Sequence, residues 1–154
     1  MENNENNQHQ QAGLMILSQY IKDMSLEIPL APQIFKEMTQ APNVQVEFNM
    51  KHEQLEDGNF NITLNTKLDA NVGEKKLFII ELAYAAVANV NVPQEHLEPV
   101  LEIELPRLLF PFVRSVISHS LSEAGLPPMM LSPIDFVSLY NAKKAKQAEA
   151  QKTA

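Results

Sequence analysis

The sequence predicts an α+β domain in which a four-stranded antiparallel sheet carries two C-terminal helices packed on one face. Two observations predict this fold class. Between residues 14 and 87, apolar and polar side chains alternate in four segments, as in strands with one buried face. After residue 97, apolar residues recur at spacings of three and four, as in amphipathic helices. Because an apolar sheet face must be covered, the helices are expected to pack against it.

The first predicted strand spans residues 14–28. Its alternation separates an apolar face of Tyr20, Met24, Leu26 and Ile28 from a polar face of Asp23, Ser25 and Glu27. Three further strands are expected at residues 44–51, 60–65 and 77–87. Their connections are short and contain turn residues such as Asp57-Gly58 and Gly73. At least these last three strands should therefore form an antiparallel meander.

The first helical pattern is long and contains three prolines, at positions 99, 106 and 111. An interior proline costs about 3 kcal/mol, so the helix is expected to break or restart near Pro99 or Pro106. Gly125 is a typical residue at the end of a helix. Ser132 and Pro133 are expected as the N-cap and first residue of the second helix.

The chain of 154 residues is expected to hold one domain. The predicted organisation is a disordered polar tail at 1–13, a folded domain at 14–141 and a C-terminal tail at 142–154. The net charge of −7 disfavours nucleic acid as a partner and favours basic partners. The N-terminus has no apolar segment of a secretory signal, and no apolar run is long enough for a bilayer. A cytoplasmic protein without membrane insertion is therefore expected.

Catalytic signals are weak. The four histidines, at 9, 52, 96 and 119, are scattered, and no phosphate-binding loop or nucleophile motif occurs. His119 lies between two serines, but adjacent residues of a helix point apart. Glu102 and Glu104 with His96 make an equally poor metal site, and the absence of cysteine excludes thiolate ligands. The protein is therefore expected to be no enzyme, with no metal and no cofactor.

Two connections are unusually apolar and stiffened by proline: residues 28–35 and residues 126–131. Since loops normally lie on the surface, their side chains either pack on the core or line a groove for apolar ligands. The paired Met129 and Met130 suit a promiscuous groove, because an unbranched side chain adapts to many partners. The polar sheet face, with Glu81 near Ile79, is either a solvated surface or an acidic docking surface.

Several segments resemble the bacterial protein-export chaperone family SecB. Residues 20–29 (YIKDMSLEIP) with Ala31-Pro32 resemble the family's first-strand motif. The match continues at Gly73-Glu74, is strongest at 105–114 (LPRLLFPFVR), and resumes at 125–128 (GLPP) and 131–136 (LSPIDF). It covers about residues 18–140. Three features depart from the family: Leu105 replaces a usual cysteine, residues 87–100 match poorly, and the C-terminal segment is basic.

The resemblance implies a homotetramer built from two dimers that binds unfolded preproteins without ATP and delivers them to the SecA translocation motor. It places a client groove between the first apolar connection and the second helix with its preceding connection: Ile28, Leu30, Ile34, Phe35, Leu126, Met129, Met130, Phe136 and Tyr140. It places the SecA-docking surface at Asp23, Glu27, Ile79 and Glu81. A SecB-like chaperone dedicated to a toxin–antitoxin system is the main alternative; a small enzyme and a purely structural oligomer are further ones.

Overall fold

The computed structural model describes residues 13–153, in which four strands precede a helical region. The strands are β1 (Gly13–Glu27), β2 (Asn43–Gln54), β3 (Phe60–Val72) and β4 (Lys75–Asn91). The helical region comprises α1 (Gln94–Pro99), a π-helical segment (Val100–Glu104), α2 (Leu105–Glu123) and α3 (Phe136–Lys152). A short 3-10 turn, Gln33–Lys36, lies between β1 and β2. The predicted α+β fold class is confirmed.

The four strands form one antiparallel sheet in the order β1-β4-β3-β2. Strands β2, β3 and β4 make the predicted meander, and β1 pairs with β4. The connection at residues 28–42 therefore joins the two opposite edges of the sheet. Within this connection, Glu37 forms an ion pair with Lys75 at the start of β4, with 2.8 Å between Oε2 and Nζ. The strand order makes β1 and β2 the edge strands.

Strand β1 contains two register shifts, between Ile16 and Ser18 and between Ile21 and Asp23. Each bulge adds a residue and reverses which face the following side chains occupy. Met24 lies opposite Leu82 on the helix side, whereas Tyr20 lies opposite Ala85 on the other face. The prediction that Tyr20 shares the apolar face of Met24 is therefore wrong. Alternation alone does not reveal where a strand bulges.

The core lies between the sheet and α2. Helix α2 presents a buried line at intervals of four residues, and it packs on the even-numbered positions of β3 and β4. The buried line consists of Leu105, Leu109, Val113, Ile117 and Leu121. Facing it are Ile62, Leu64, Leu68, Ile80 and Leu82. The helices thus cover one face of the sheet, as predicted.

The helix boundaries agree only in part with those predicted from the prolines and from Gly125. Between Pro99 and Leu105 the chain remains helical but changes to π geometry, so the expected interruption is local. Gly125 has φ 81°, and the Leu126 N–H donates to Leu121 O at 2.9 Å, which closes α2.

Helix α3 begins later than predicted, because its N-cap is Asp135 and not Ser132. It also extends to Lys152, so most of the expected tail at 142–154 is helical, with exposed side chains. The expected N-terminal tail lies outside the described residues, except for Gly13, which begins β1. Among the helices described, none has the length and apolar character needed to cross a bilayer.

Candidate functional site

An apolar cavity of about 200 Å³ lies beside the start of β2. The connection between α2 and α3 forms one wall, and the first residues of β2 and β4 form the other. Its lining is Pro42, Val44, Leu77, Phe78, Leu126, Pro127, Pro128 and Met129. The structure thus brings two of the predicted groove residues, Leu126 and Met129, to one cavity.

A second cavity, of about 180 Å³, lies between the middle of β2 and α3. Its lining is Phe48, Asn49, Met50, Glu102, Phe136, Leu139, Tyr140 and Lys143. Phe48, Phe110 and Phe136 meet edge-to-face, with ring centroids 5.7–6.3 Å apart. Such contacts between rings fix the shape of an apolar wall. Two further predicted residues, Phe136 and Tyr140, lie here.

The surface continues along α3 as an open trough of about 520 Å³ bounded by Leu139, Lys143, Lys146 and Ala150. We call the two cavities and this trough the β2 groove, because residues of β2 line each of them. The groove contribution of Val44, Phe48 and Met50 was not predicted from the sequence. Their alternation indicated a strand, but it carried no sign that α3 would lie beside its edge.

The first apolar connection divides between core and surface. Ile34 is 1% exposed and belongs to the core, which corrects its assignment to the groove. Leu30 and Phe35 are each 41% exposed, and Ile28 packs partly on the core. None of these residues lines the cavities of the β2 groove described above.

Met130 also lies apart from the β2 groove. It is 64% exposed and lines a shallow surface with Pro111, Arg114 and His119 of α2. Of the predicted client residues, the structure therefore groups one set in the β2 groove: Leu126, Met129, Phe136 and Tyr140.

The sheet face opposite the helices carries the predicted docking residues. Glu27 lies opposite Ile79, Ser25 opposite Glu81, and Asp23 opposite Ala83. The register thus places Asp23, Glu27, Ile79 and Glu81 on one face of the β1–β4 pair, as the alternation indicated. We call these four residues the acidic face.

Glu102 is buried, with 4% exposed. Its Oε1 lies 3.2 Å from His52 Nε2 and accepts a hydrogen bond from Lys143 Nζ at 2.7 Å. His96, which sequence paired with Glu102 as a possible ligand, instead lies 3.5 Å from Glu95. Within residues 13–153, no group of three His, Asp or Glu side chains is placed to hold a metal ion.

The molecule is thus an α+β domain with an open apolar groove beside an edge strand and an acidic surface on the opposite face of the sheet. The family model described as preprotein translocase subunit SecB matches residues 7–147. The chain belongs to the SecB family.

Curated relatives named protein-export protein SecB support this assignment over nearly the whole chain. One from Bradyrhizobium sp. strain BTAi1 is 47% identical over 139 residues, which cover 90% of this chain and 86% of the relative. One from Rhodopseudomonas palustris strain BisB5 is 43% identical, with 88% and 87% covered. One from Chromobacterium violaceum is 42% identical, with 85% and 87% covered.

A solved structure has the same fold at much lower identity. It is a SecB-like chaperone of Mycobacterium tuberculosis in complex with a ChAD peptide from an antitoxin. The TM-score is 0.66 at 15% identity, with 79% of this chain and 90% of that chain covered. At this identity the likeness concerns the fold alone.

Proposed function

We propose that this SecB-family protein is an ATP-independent chaperone that binds unfolded preproteins, keeps them competent for translocation and delivers them to the SecA motor. The observation that carries the proposal is the β2 groove, an open apolar surface along an edge strand. The protein acts by holding polypeptides in the cytoplasm, and its family is one of chaperones and not of enzymes.

Client binding by the groove requires no particular side-chain sequence. Burial of apolar surface yields about 25 cal/mol per Å², partly offset by the ordering of the client. Because this attraction is non-directional, many unfolded segments satisfy it, whereas folded proteins bury their apolar segments. Slow-folding preproteins therefore stay available for binding longest.

The edge position of β2 offers a second source of affinity. No strand pairs with its outer side within the described residues. An extended client can add backbone hydrogen bonds to such an edge, as in other peptide complexes formed by strand addition. These bonds are independent of sequence, and the neighbouring apolar cavities accept the client's side chains.

The acidic face is proposed to dock SecA. Glu27 lies opposite Ile79, Glu81 is two residues further along β4, and Asp23 lies opposite Ala83. A basic partner surface therefore meets three carboxylates in a row that begins beside an apolar side chain. Electrostatic complementarity of this kind accelerates association and weakens with salt. The face lies on the side of the sheet away from the helices.

We further propose a homotetramer made of two dimers. Two surfaces expose large apolar side chains that a monomer would leave in water: the β1 edge with Met15, Leu17, Tyr20 and Ile21, and α2 with Leu108 and Phe112. Exposed apolar surface of this extent marks an interaction site. Two distinct surfaces provide the two kinds of contact that a dimer of dimers needs.

The alternative is a chaperone dedicated to a toxin–antitoxin system. We retain it because the chain shares its fold with the M. tuberculosis SecB-like chaperone. Relatives at 41–47% identity carry the export name, which favours the export function. Competition between several unrelated unfolded preproteins for the same groove distinguishes the two. General export predicts that each preprotein displaces the others, whereas a dedicated chaperone binds one client.

A direct test introduces charge into the β2 groove. Phe48→Asp is expected to abolish retention of an unfolded preprotein, while Val137→Asp, at an exposed position of α3 that lines neither the cavities nor the trough, should leave retention unchanged. Circular dichroism of both variants controls for folding. Undiminished retention by a folded Phe48→Asp protein would refute the groove.

A further inference from the structure

The carboxylate of Glu102 joins three parts of the fold that are distant in sequence. It lies in the π-helical segment and contacts His52 of β2 and Lys143 of α3. Glu102 is the one charged side chain that is buried among the described residues. The other buried polar side chains are the uncharged Asn61, Thr63 and Thr66. Burying a carboxylate is costly unless it is paired, so these contacts constrain where β2 and α3 can lie.

Helix α3 has little other attachment to the domain. Its buried side chains are Phe136 and Tyr140, both in its first turns. Beyond Tyr140 every described residue of the helix is exposed. Lys144 points toward the ring of Tyr140 on the same helix, with 4.8 Å from Nζ to the centroid. Lys143 is therefore the last point at which α3 is held.

Lys143 also lies where two parts of the β2 groove meet. It lines both the 180 Å³ cavity and the adjoining trough, together with Phe48 and Leu139. Its ammonium group is bound to the buried carboxylate of Glu102 at 2.7 Å. The position of the Lys143 side chain thus determines where α3 lies relative to β2. It also determines how the 180 Å³ cavity joins the trough.

We propose that the ion pair of Glu102 and Lys143 is a latch that fixes α3 as the second wall of the β2 groove, with both residues acting as positioning residues for client binding. The proposal rests on the proposed chaperone function. A fixed wall is preorganised, so a bound chain meets both sides of the groove without first ordering α3. Without the latch, α3 is held only through its first turns.

The test removes the latch without leaving an unpaired charge. The variant Glu102→Gln/Lys143→Met is neutral at both positions and similar in volume. The matched control is Lys152→Met, because Lys152 lies on the same helix but lines neither the cavities nor the trough of the β2 groove. Since the chain has no cysteine, spin labels can be attached to Gln45→Cys on β2 and to Ala148→Cys on α3, an exposed position outside the groove lining.

Two readouts are measured on the full chain: the distance distribution between the labels, and the dissociation rate of a fluorescent unfolded peptide rich in Phe and Leu. The double variant is expected to broaden the distances and to raise the dissociation rate about tenfold, the effect of losing about 1.4 kcal/mol. Lys152→Met should change neither readout. The effects of the single variants Glu102→Gln and Lys143→Met on the dissociation rate should not add up in the double variant, because the two residues form one pair.

An unchanged distance distribution in the folded double variant would overturn the proposal. The ion pair would then only neutralise the buried Glu102 carboxylate and would not hold α3 in place. Broadened distances with an unchanged dissociation rate would also overturn the proposal, since the wall would then not contribute to binding. If the unmodified chain fails to bind the peptide, the proposed function fails, and the label distances still decide whether the pair fixes α3.

Discussion

Lys67 of β3 lies directly opposite Glu81 of β4, with 3.8 Å between Nζ and Oε1, on the sheet face that the helices leave uncovered. Both side chains are substantially exposed, so the pair adds little to stability. Its effect on a partner is larger, because Lys67 offsets part of the negative charge at the proposed SecA-docking surface.

Replacing Lys67 with Gln is therefore expected to strengthen SecA binding by a few-fold at low salt, and Glu81→Lys is expected to weaken it strongly. Both effects should shrink as ionic strength rises. Titration calorimetry at two salt concentrations measures them. Lys152→Gln, at the far end of α3, is the control for net charge. Equal SecA affinity in Glu81→Lys and the unmodified protein would contradict the assignment of the acidic face.

Ile34 and Phe35 are neighbours with opposite environments, which separates stability from client binding. Ile34→Ala removes a fully buried side chain and is expected to cost about 2–5 kcal/mol of unfolding free energy. Phe35→Ala removes an exposed ring, so stability should change little. Retention of an unfolded client should weaken because the resemblance to the family places Phe35 at the client surface, outside the β2 groove. Urea denaturation and client dissociation rates measure the two effects. Loss of stability in Phe35→Ala comparable to that in Ile34→Ala would contradict this division.

The β1 edge is expected to carry subunit contacts. Leu17→Asp introduces a charge among Met15, Leu17 and Ile21, which are exposed in the single chain. The native mass by light scattering should fall from that of a tetramer to that of a smaller species. Glu53→Asp, near the end of the opposite edge strand, should leave the mass unchanged. A tetramer that persists in Leu17→Asp would exclude this edge as an interface.

Asp135 caps α3 and should report on it through pH. Its pKa is lowered by hydrogen bonds from the Ser138 side chain and then from the Ser138 backbone N–H. A lowered folded pKa means that the cap stabilises α3 above the unfolded value of about 3.9 and is lost as pH falls through the folded value.

The Ser138 amide resonance in NMR is expected to titrate below pH 3.9, and Asp135→Asn should cap the helix without this titration. A Ser138 amide that titrates at or above the ordinary aspartate value would show that the cap is not formed.

Much of the fold could be predicted because strand and helix periods are local properties of the chain. The even-numbered apolar face of β4 and the line of α2 from Leu105 to Leu121 follow directly from side-chain spacing. The bulge that turns Tyr20 to the other face could not be predicted, since it depends on how β1 pairs with β4. The N-cap of α3 at Asp135 was not predicted, because Ser132-Pro133, three residues earlier, is an equally plausible helix start.

From the residues alone, the site was predictable only where apolar residues stood in connections, whereas Phe136 and Tyr140 of α3 were predicted from the family resemblance. Leu126 and Met129 drew attention because proline-rich loops rarely hold such side chains. Phe48 resembled any inward residue of a strand, and its role depends on α3 lying beside the β2 edge. Glu102 gave no local signal of burial, because its partners His52 and Lys143 lie 50 and 41 residues away.

The central claim, that this protein holds unfolded chains without nucleotide, is tested most directly by one retention measurement. The purified protein, with its native mass determined by light scattering, is mixed without ATP with a slow-folding preprotein diluted from denaturant, and protease sensitivity is followed over time. A tetramer that keeps the preprotein protease-sensitive, and leaves the folded form unbound, is the predicted result. A preprotein that refolds at its unassisted rate in the presence of the protein would contradict the account.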